Sequence, residues 1–259
     1  MRIFLLSLLI LSISIFGCNK DSELNGPDEN TARLTIYVTD AAADYDSVLI
    51  HFTQVSAHID SDWVSVQTEP MTVDLLEWSN GRALQLGSAD VPAGTYSQIR
   101  IMIDSAKIGY KGDVYQMDVP SGAQTGLKLG PEFTIAAGTD YELVIDFDVC
   151  KSVVTTGPPH NPKGFKLKPH MRLVTKAITG SISATVSNPK DAPLAHAIQN
   201  DDTITTSIVD TLSGYFMLGF LPEGLYKVAV EDTLGLEYSV DDVQVKVGEN
   251  TELGDITLN

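Results

Sequence analysis

The sequence predicts an all-β protein with two tandem antiparallel β-sandwich domains, preceded by an apolar N-terminal segment and a flexible polar tether. Apolar and polar residues alternate along most of the chain, as at Leu34, Ile36 and Val38, which is the period of a strand with one face on a core. After the N-terminal segment, no long stretch carries a helical stripe, and short helical turns fit residues 73–79 and 149–154 at most.

The first element is an apolar run that ends in a cysteine. Arg2 precedes the apolar residues 3–16, and the small residue Gly17 precedes Cys18. Residues 15–18 resemble a bacterial lipobox, which implies a lipoprotein signal peptide at 1–17 and a membrane partner held through acyl groups on Cys18. An ordinary cleaved secretory signal and an uncleaved helix are the alternatives, although a spanning helix needs about 20 apolar residues.

The second element, residues 18–30, is polar and acidic and is broken by Gly26-Pro27, which predicts a flexible tether. Its residues 18–23, Cys18-x-Lys20-Asp21-x-Glu23, resemble the export signal that sends some lipoproteins to the outer face of the Gram-negative outer membrane. The resemblance implies a lipid-anchored protein of the cell envelope. Its location would be the outer membrane, where it can be exposed on the cell surface. A plain solvated linker is the alternative.

Charge and cysteine content limit the classes of partner. The formal net charge is −17, which repels nucleic acid and anionic lipid, so we expect no nucleic-acid partner. Two cysteines provide no disulfide framework. We predict that Cys150 is a buried strand thiol, with a disulfide to Cys18 or a reactive or metal-binding thiol as alternatives.

An internal sequence repeat indicates the two β domains. Residues 91–96 and 221–226 each contain Pro-x-Gly-x-Tyr, which fits a type I turn that leads into a strand. Similar runs precede and follow both segments in the same order. We therefore predict one sandwich over residues 31–176 and another over 177–259, each of ordinary domain size.

The second half contains Gly214-Tyr215-Phe216, then Leu221-Pro222 with Gly224 and Tyr226, and then alternating valines up to Val247-Gly248. These motifs resemble the carboxypeptidase regulatory-like (prealbumin-like) domain. The resemblance implies a non-catalytic accessory sandwich of envelope and carbohydrate-handling proteins.

In the first half, distinctive motifs lie at residues 38–46, 92–96, 119–129, 146–154 and 167–174. The resemblance that they carry is to a domain-of-unknown-function family of bacterial envelope lipoproteins. It implies an envelope location and a β architecture, and it implies no reaction.

Two carboxylates are candidate ligand-binding residues. Asp146 and Asp148 share the outer face of a predicted strand, about 7 Å apart. That spacing suits a glycosidase pair or, with Asp40, Asp44 and Asp46, part of a calcium site. The alternative is structural pairing with a nearby base: Lys151, Lys166, Lys168 or Arg172.

Trp63 and Trp78 are the remaining candidates, because exposed tryptophan rings beside polar residues are platforms on which sugars stack. The alternative is that both seal the open end of a sandwich. Histidines are not spaced as metal ligands, and no nucleophile elbow or phosphate loop is present. We predict no enzyme, no cofactor and no metal site.

The leading functional hypothesis is a non-catalytic, lipid-anchored cell-envelope protein that acts as a binding or adhesion module for a glycan or protein ligand. One alternative is a carbohydrate-binding accessory lipoprotein. A second is a calcium-dependent binding protein that uses surface carboxylates.

Overall fold

In a computed structural model that describes residues 30–41, 43, 45–158 and 162–259, the chain forms four β-sheets. This confirms the predicted all-β class. The helical elements are short: α1 (Ser121–Thr125), α2 (Val149–Ser152) and two 3-10 turns, Leu75–Trp78 and Lys176–Ile178. Helical turns therefore occur at both predicted places. The signal peptide, Cys18 and nearly all of the tether lie outside the described residues.

The first half contains thirteen described strands. They are β1 (Thr31–Ala41), β2 (Ser47–Ile59), β3 (Asp62–Gln67), β4 (Met71–Asp74), β5 (Leu84–Pro92), β6 (Gly94–Tyr110), β7 (Asp113–Asp118), β8 (Leu127–Leu129), β9 (Phe133–Ile135), β10 (Asp140–Asp148), β11 (Val153–Thr156), β12 (Gly164–Leu167) and β13 (Met171–Thr175). The first sheet has the order β13-β10-β1-β5, and the second has the order β11-β12-β7-β6-β2-β3. In the second sheet, β4 also pairs with β2, and β8 and β9 pair with β6.

The second half contains seven strands. They are β14 (Thr179–Val186), β15 (Leu194–Gln199), β16 (Asp202–Ile208), β17 (Tyr215–Pro222), β18 (Gly224–Glu231), β19 (Glu237–Val245) and β20 (Asn250–Ile256). One sheet has the order β17-β14-β20 and the other β16-β15-β18-β19.

Most strand pairs are antiparallel, as predicted, but three of the four described sheets are mixed, and the β16-β15-β18-β19 sheet alone is wholly antiparallel. β1 runs parallel to β10, β7 to β12, and β14 to β20. An alternating strand has one buried face in either direction, so a period of two cannot distinguish parallel from antiparallel pairing.

Each pair of sheets encloses its own buried apolar cluster. The first cluster includes Leu34, Ile101 and Phe147, and the second includes Phe216 and Val228. Alternation explains this placement, because every second side chain of a strand points to the same face. The division into domains at 31–176 and 177–259 remains our proposal.

The two Pro-x-Gly segments carry the chain from one sheet to the other. Pro92 ends β5 in the first sheet, and Gly94 begins β6 in the second. Pro222 and Gly224 join β17 to β18 in the same way. The segments predicted as turns are thus corners between facing sheets.

One local prediction is wrong. Cys150 lies in α2 and is exposed, whereas a buried strand thiol was expected. The strand ends at Asp148 because its side chain accepts a hydrogen bond from Lys151 N and caps the first turn of α2.

Candidate functional site

Asp146 lies on the outer face of the first sheet, where the second half of the chain covers it. It is opposite Arg172 in the β10–β13 register, and its side chain is 3% exposed. Its Oδ2 accepts a hydrogen bond from Arg172 Nε at 2.7 Å and lies 2.6 Å from Arg172 Nη2. Burial raises the pKa of Asp146, and the Arg172 charge opposes that rise.

Arg172 also reaches the second half. Its Nη1 donates a hydrogen bond to the Phe220 carbonyl at 3.1 Å, close to the corner that follows β17. The same guanidinium therefore neutralises a buried carboxylate and holds a backbone group of the other sandwich.

Asp148 is engaged in the same way two residues further along β10. Lys151 N donates to its Oδ1 at 3.0 Å, and Lys151 Nζ lies 3.0 Å from its Oδ2. That ammonium also donates to the Thr203 carbonyl on β16 at 2.7 Å. Both predicted carboxylates thus lie at the junction of the two halves, paired with two of the bases considered from the sequence.

Trp78 positions a third contact at this junction. Its ring packs against the first core, and its carbonyl accepts a hydrogen bond from Thr39 Oγ1 at 2.8 Å. The chain then turns through Asn80 and Gly81, both with left-handed backbone. Trp78 therefore anchors the loop that presents Asn80.

Asn80 joins the edges of both sheets of the second sandwich. Its Oδ1 accepts from Met217 N on β17 at 3.1 Å, and its Nδ2 donates to the Ile208 carbonyl on β16 at 3.1 Å. Ser207 Oγ is also hydrogen-bonded to Oδ1. We call Asn80, Asp146, Asp148, Lys151 and Arg172 the docking cluster. Sequence reasoning did not identify Asn80, because an Asn-Gly pair indicates only a turn.

The calcium hypothesis gains no support from the described carboxylates. Asp40 is buried, its Oδ1 accepts a hydrogen bond from Val149 N at 3.2 Å, and burial raises its pKa well above the usual range. Asp46 Oδ2 accepts from Gly112 N at 2.7 Å, and Asp44 lies outside the described residues. Within the described part of the chain, no three His, Cys, Asp or Glu residues are grouped to hold a metal ion.

Trp63 lies elsewhere, on the outer face of the second sheet. It is half-buried, opposite His58 in the β2–β3 register, with the two ring centroids 4.8 Å apart. The Arg100 guanidinium lies 4.1 Å from the centroid of the Trp63 ring. His58 Nδ1 and Ser97 Oγ are 2.8 Å apart. Asp146, Asp148 and Trp78 therefore lie at the junction of the two halves. Trp63, the fourth predicted ligand residue, lies on a different sheet and is not part of the docking cluster.

An apolar groove of about 390 Å³ opens where the first sandwich meets β14. Its lining includes Phe133, Tyr141 and Leu173 from the first half, and Ile178 and Pro222 from the second. Ile178 is 60% exposed. The groove offers hydrophobic contact, and among the described residues that line it Glu132 is the one with a charge.

The chain belongs to the family described as Domain of unknown function (DUF4382), whose model matches residues 31–169, more than half of the sequence. The predicted resemblance of the first half to a domain-of-unknown-function family is thereby confirmed. The carboxypeptidase regulatory-like resemblance of the second half is not confirmed and remains a prediction. A search of curated proteins returned no match.

Among solved structures, the chain is similar to the Bacillus anthracis TIE protein, with 12% identity over 89% of this chain and 34% of that one and a TM-score of 0.24. It is also similar to BcpA, the major pilin subunit of Bacillus cereus (15% identity, 88% and 70% coverage, TM-score 0.22). A fimbrial protein from Bacteroides ovatus is similar at 8% identity, 89% and 50% coverage, and a TM-score of 0.23. The chain spans about a third of the first of these structures. At such TM-scores these likenesses carry no argument about function.

The described residues contain no helix of the length and apolarity that a membrane span requires.

Proposed function

We propose that the protein is a non-catalytic, lipid-anchored module of the cell envelope that binds a ligand while its two sandwiches stay fixed on one another. The docking cluster is the observation that carries this proposal. Asp146 and Asp148, the carboxylates best placed for catalysis, are neutralised by Arg172 and Lys151 and covered by the second half. A carboxylate held in this way is not available to a substrate.

The proposed anchor is lipid on Cys18, followed by a polar tether that separates the folded part from the membrane. Its support is the lipobox-like sequence and the acidic residues after it. We further propose the outer membrane of a Gram-negative bacterium as the location.

The proposed ligand is a glycan or an envelope protein. The carbohydrate-binding alternative is supported by Trp63, which is half-buried on an open sheet face with polar side chains around it. Trp78 supports it less, because its ring packs against the core and its loop is part of the junction.

The anchor is tested by expressing the full chain in a Gram-negative host and separating membrane from soluble fractions. We expect Cys18→Ser to release the protein or leave it as an unprocessed precursor, because acylation needs the thiol. Cys150→Ser, the matched control, should remain in the membrane fraction. Unchanged fractionation and an unchanged N-terminal mass for Cys18→Ser would contradict the proposal.

The binding role is tested with the detergent-solubilised protein on arrays of glycans and envelope proteins. We expect at least one retained ligand whose mass is unchanged after incubation. Release of cleaved products would show an enzyme instead.

A further inference from the structure

We propose that the outer face of the second sheet, around Trp63, binds a largely neutral glycan that carries a single acidic sugar. Arg100 would bind the carboxylate of that sugar. This inference rests on the proposed binding function and names its ligand class. It begins from the register of four neighbouring strands, β3, β2, β6 and β8, whose outward residues form one continuous surface.

Two rows of that surface are fixed by strand pairing. In one row, Trp63 on β3 is opposite His58 on β2, which is opposite Gln98 on β6. In the next row, the order is Ser65, Ser56, Arg100 and Lys128. The intervening side chains, such as Ile99 and Ile101, point into the core. We call Trp63, His58, Gln98, Arg100 and Lys128 the Trp63 face.

Arg100 is held in place from three directions. Its Nε donates to Ser56 Oγ at 3.3 Å, and its guanidinium lies 4.1 Å from the centre of the Trp63 ring. On the other side its aliphatic chain touches the backbone of Gly126, where a Cβ would come within 2.5 Å of Arg100 Cδ. A side chain fixed in this way loses little conformational entropy when it binds a ligand.

The charge of Arg100 faces an aromatic ring and no counter-charge, because its guanidinium makes a cation–π contact with Trp63. Among the described residues, no carboxylate forms an ion pair with Arg100 or with its neighbour Lys128. By contrast, Arg33 and Arg172 are each paired with an aspartate. In a chain with a net charge of −17, two unpaired cations on one strand row form a local site for an anion.

The neighbouring groups favour a sugar as the carrier of that anion. A guanidinium binds a carboxylate through two parallel N–H donors. The part of the half-buried Trp63 ring that Arg100 and His58 leave exposed offers an aromatic surface to the apolar face of a pyranose. Gln98, Ser65 and Ser97 offer amide and hydroxyl groups to its hydroxyls. The strongly negative whole protein would repel a polymer with a charge on every unit, which favours an isolated acidic sugar within a neutral chain.

The test is calorimetric titration of the full mature chain, in detergent, with two matched probes. One is a xylo-oligosaccharide that carries a single glucuronate, and the other is the neutral xylo-oligosaccharide of the same length. We expect the acidic probe to bind at least about tenfold more tightly. Arg100→Gln should abolish this preference, and Trp63→Ala should weaken both probes.

Lys107→Gln, which changes an exposed cation elsewhere on β6, is the control and should bind as the parent does. If Arg100→Gln unfolds the chain, Arg100→Lys replaces it and should reduce the preference, because an ammonium lacks the two-pronged geometry. Equal binding of the two probes, or an unchanged preference in a folded Arg100 variant, overturns the inference.

A glutamate-rich peptide is the third ligand in the test. If it binds more tightly than the acidic oligosaccharide and Arg100→Gln removes that binding, the partner is an acidic protein segment and the glycan inference is overturned. If no probe binds while the chain remains membrane-anchored and retains another ligand on the arrays, this inference fails and the proposed function stands. Loss of anchoring in the fractionation experiment would instead count against the proposed function.

Discussion

The two sandwiches share a three-stranded frame. In the first, β1 lies between antiparallel β5 and parallel β10, and in the second, β14 lies between antiparallel β17 and parallel β20. The same backbone bond begins each frame: Gly138 N donates to the Thr31 carbonyl at 2.8 Å, and Gly248 N to the Thr179 carbonyl at 2.9 Å. Backbone pairing can therefore repeat where most side chains differ.

The corners between sheets are also repeated. Tyr96 Oη donates to the Pro92 carbonyl at 2.6 Å, and Tyr226 Oη to the Pro222 carbonyl at 2.9 Å. Both rings are buried. A buried phenol needs a partner for its hydroxyl, and each corner carbonyl provides one.

The differences lie in what is added to the frame. Among the described strands, the first frame alone is extended by a fourth, β13, which carries Arg172 to the junction. At the ends of the central strands, the first sandwich has Asp40, whose Oδ2 has no described partner, and the second has Asn188. Asn188 both accepts from Leu258 N at 3.1 Å and donates to its carbonyl at 3.3 Å. The shared frame thus tolerates different polar groups at its edges.

The largest expected effect is at Arg172, which has no counterpart in the second sandwich. Arg172→Ala leaves Asp146 buried without its counter-charge and should lower the free energy of unfolding by about 3–5 kcal/mol. Denaturant unfolding of the whole chain measures this. Lys176→Ala, which removes an exposed pair with Glu142, is the control and should cost about 0–1 kcal/mol. A loss below about 1 kcal/mol for Arg172→Ala would contradict the assigned role.

The next largest effect should differ between the two corners when the glycine of each is replaced by valine. Gly94 has φ +152°, and a Cβ there would lie 2.9 Å from Ile59 Cδ1, so Gly94→Val should cost about 2–3 kcal/mol. At Gly224, a Cβ would first meet the terminal amide of Gln199, which can move aside. We therefore expect Gly224→Val to lower the free energy of unfolding by less than Gly94→Val does, as measured by thermal unfolding. Equal costs would mean that the corners are equivalent in strain as well as in topology.

A smaller effect concerns Asp40 and depends on pH. Because its pKa is raised in the folded state, Asp40 stays protonated there while the unfolded chain ionises. Stability is therefore lost as pH rises above the ordinary aspartate pKa of about 4, until the raised folded-state pKa is passed. Asp40→Asn should stabilise the protein by about 1–2 kcal/mol at pH 7 and have little effect below pH of about 4.

The matched control is Asn188→Asp, which should introduce a similar loss at neutral pH, because an aspartate cannot donate to the Leu258 carbonyl. The measurement is the free energy of unfolding of both variants between acid and neutral pH. A destabilising Asp40→Asn at pH 7 would show that the ionised carboxylate is required.

The smallest expected effect concerns the tyrosine hydroxyl that is hydrogen-bonded to a proline carbonyl at each corner. Tyr96→Phe and Tyr226→Phe should each cost about 1 kcal/mol, because each leaves a proline carbonyl without its partner. Tyr238→Phe, which removes a hydroxyl that makes no hydrogen bond to any described residue, is the control for the loss of a phenol oxygen. Thermal melts would reveal a difference between corners, which the stacking of Tyr96 on Phe133 could produce.

The strands and the two repeated corners could be predicted because alternation and repeated turn residues are local properties. The positions of Asp146 and Asp148 on an outer face also followed from alternation. Their pairing with Arg172 and Lys151 was one of several alternatives, since sequence spacing does not select among neighbouring bases.

Other features depend on contacts between distant segments. Asn80 meets Ile208 and Met217 across more than a hundred residues, and nothing near it in sequence indicates that partner. The parallel direction of β10 also depends on how the intervening strands are wound. Arg100 was not identified because its relevance comes from the strand register that brings it beside Trp63.

The parallel pairing of β14 and β20 has a mechanical consequence. Thr179 begins β14, and Asn259 follows the end of β20, so the two points lie at opposite ends of the pair. A tensile load between them pulls the two strands past each other and strains their ladder of hydrogen bonds simultaneously. In a hairpin pulled from its open end, the bonds would instead break one at a time. The second sandwich is therefore built to resist stretching along its own axis.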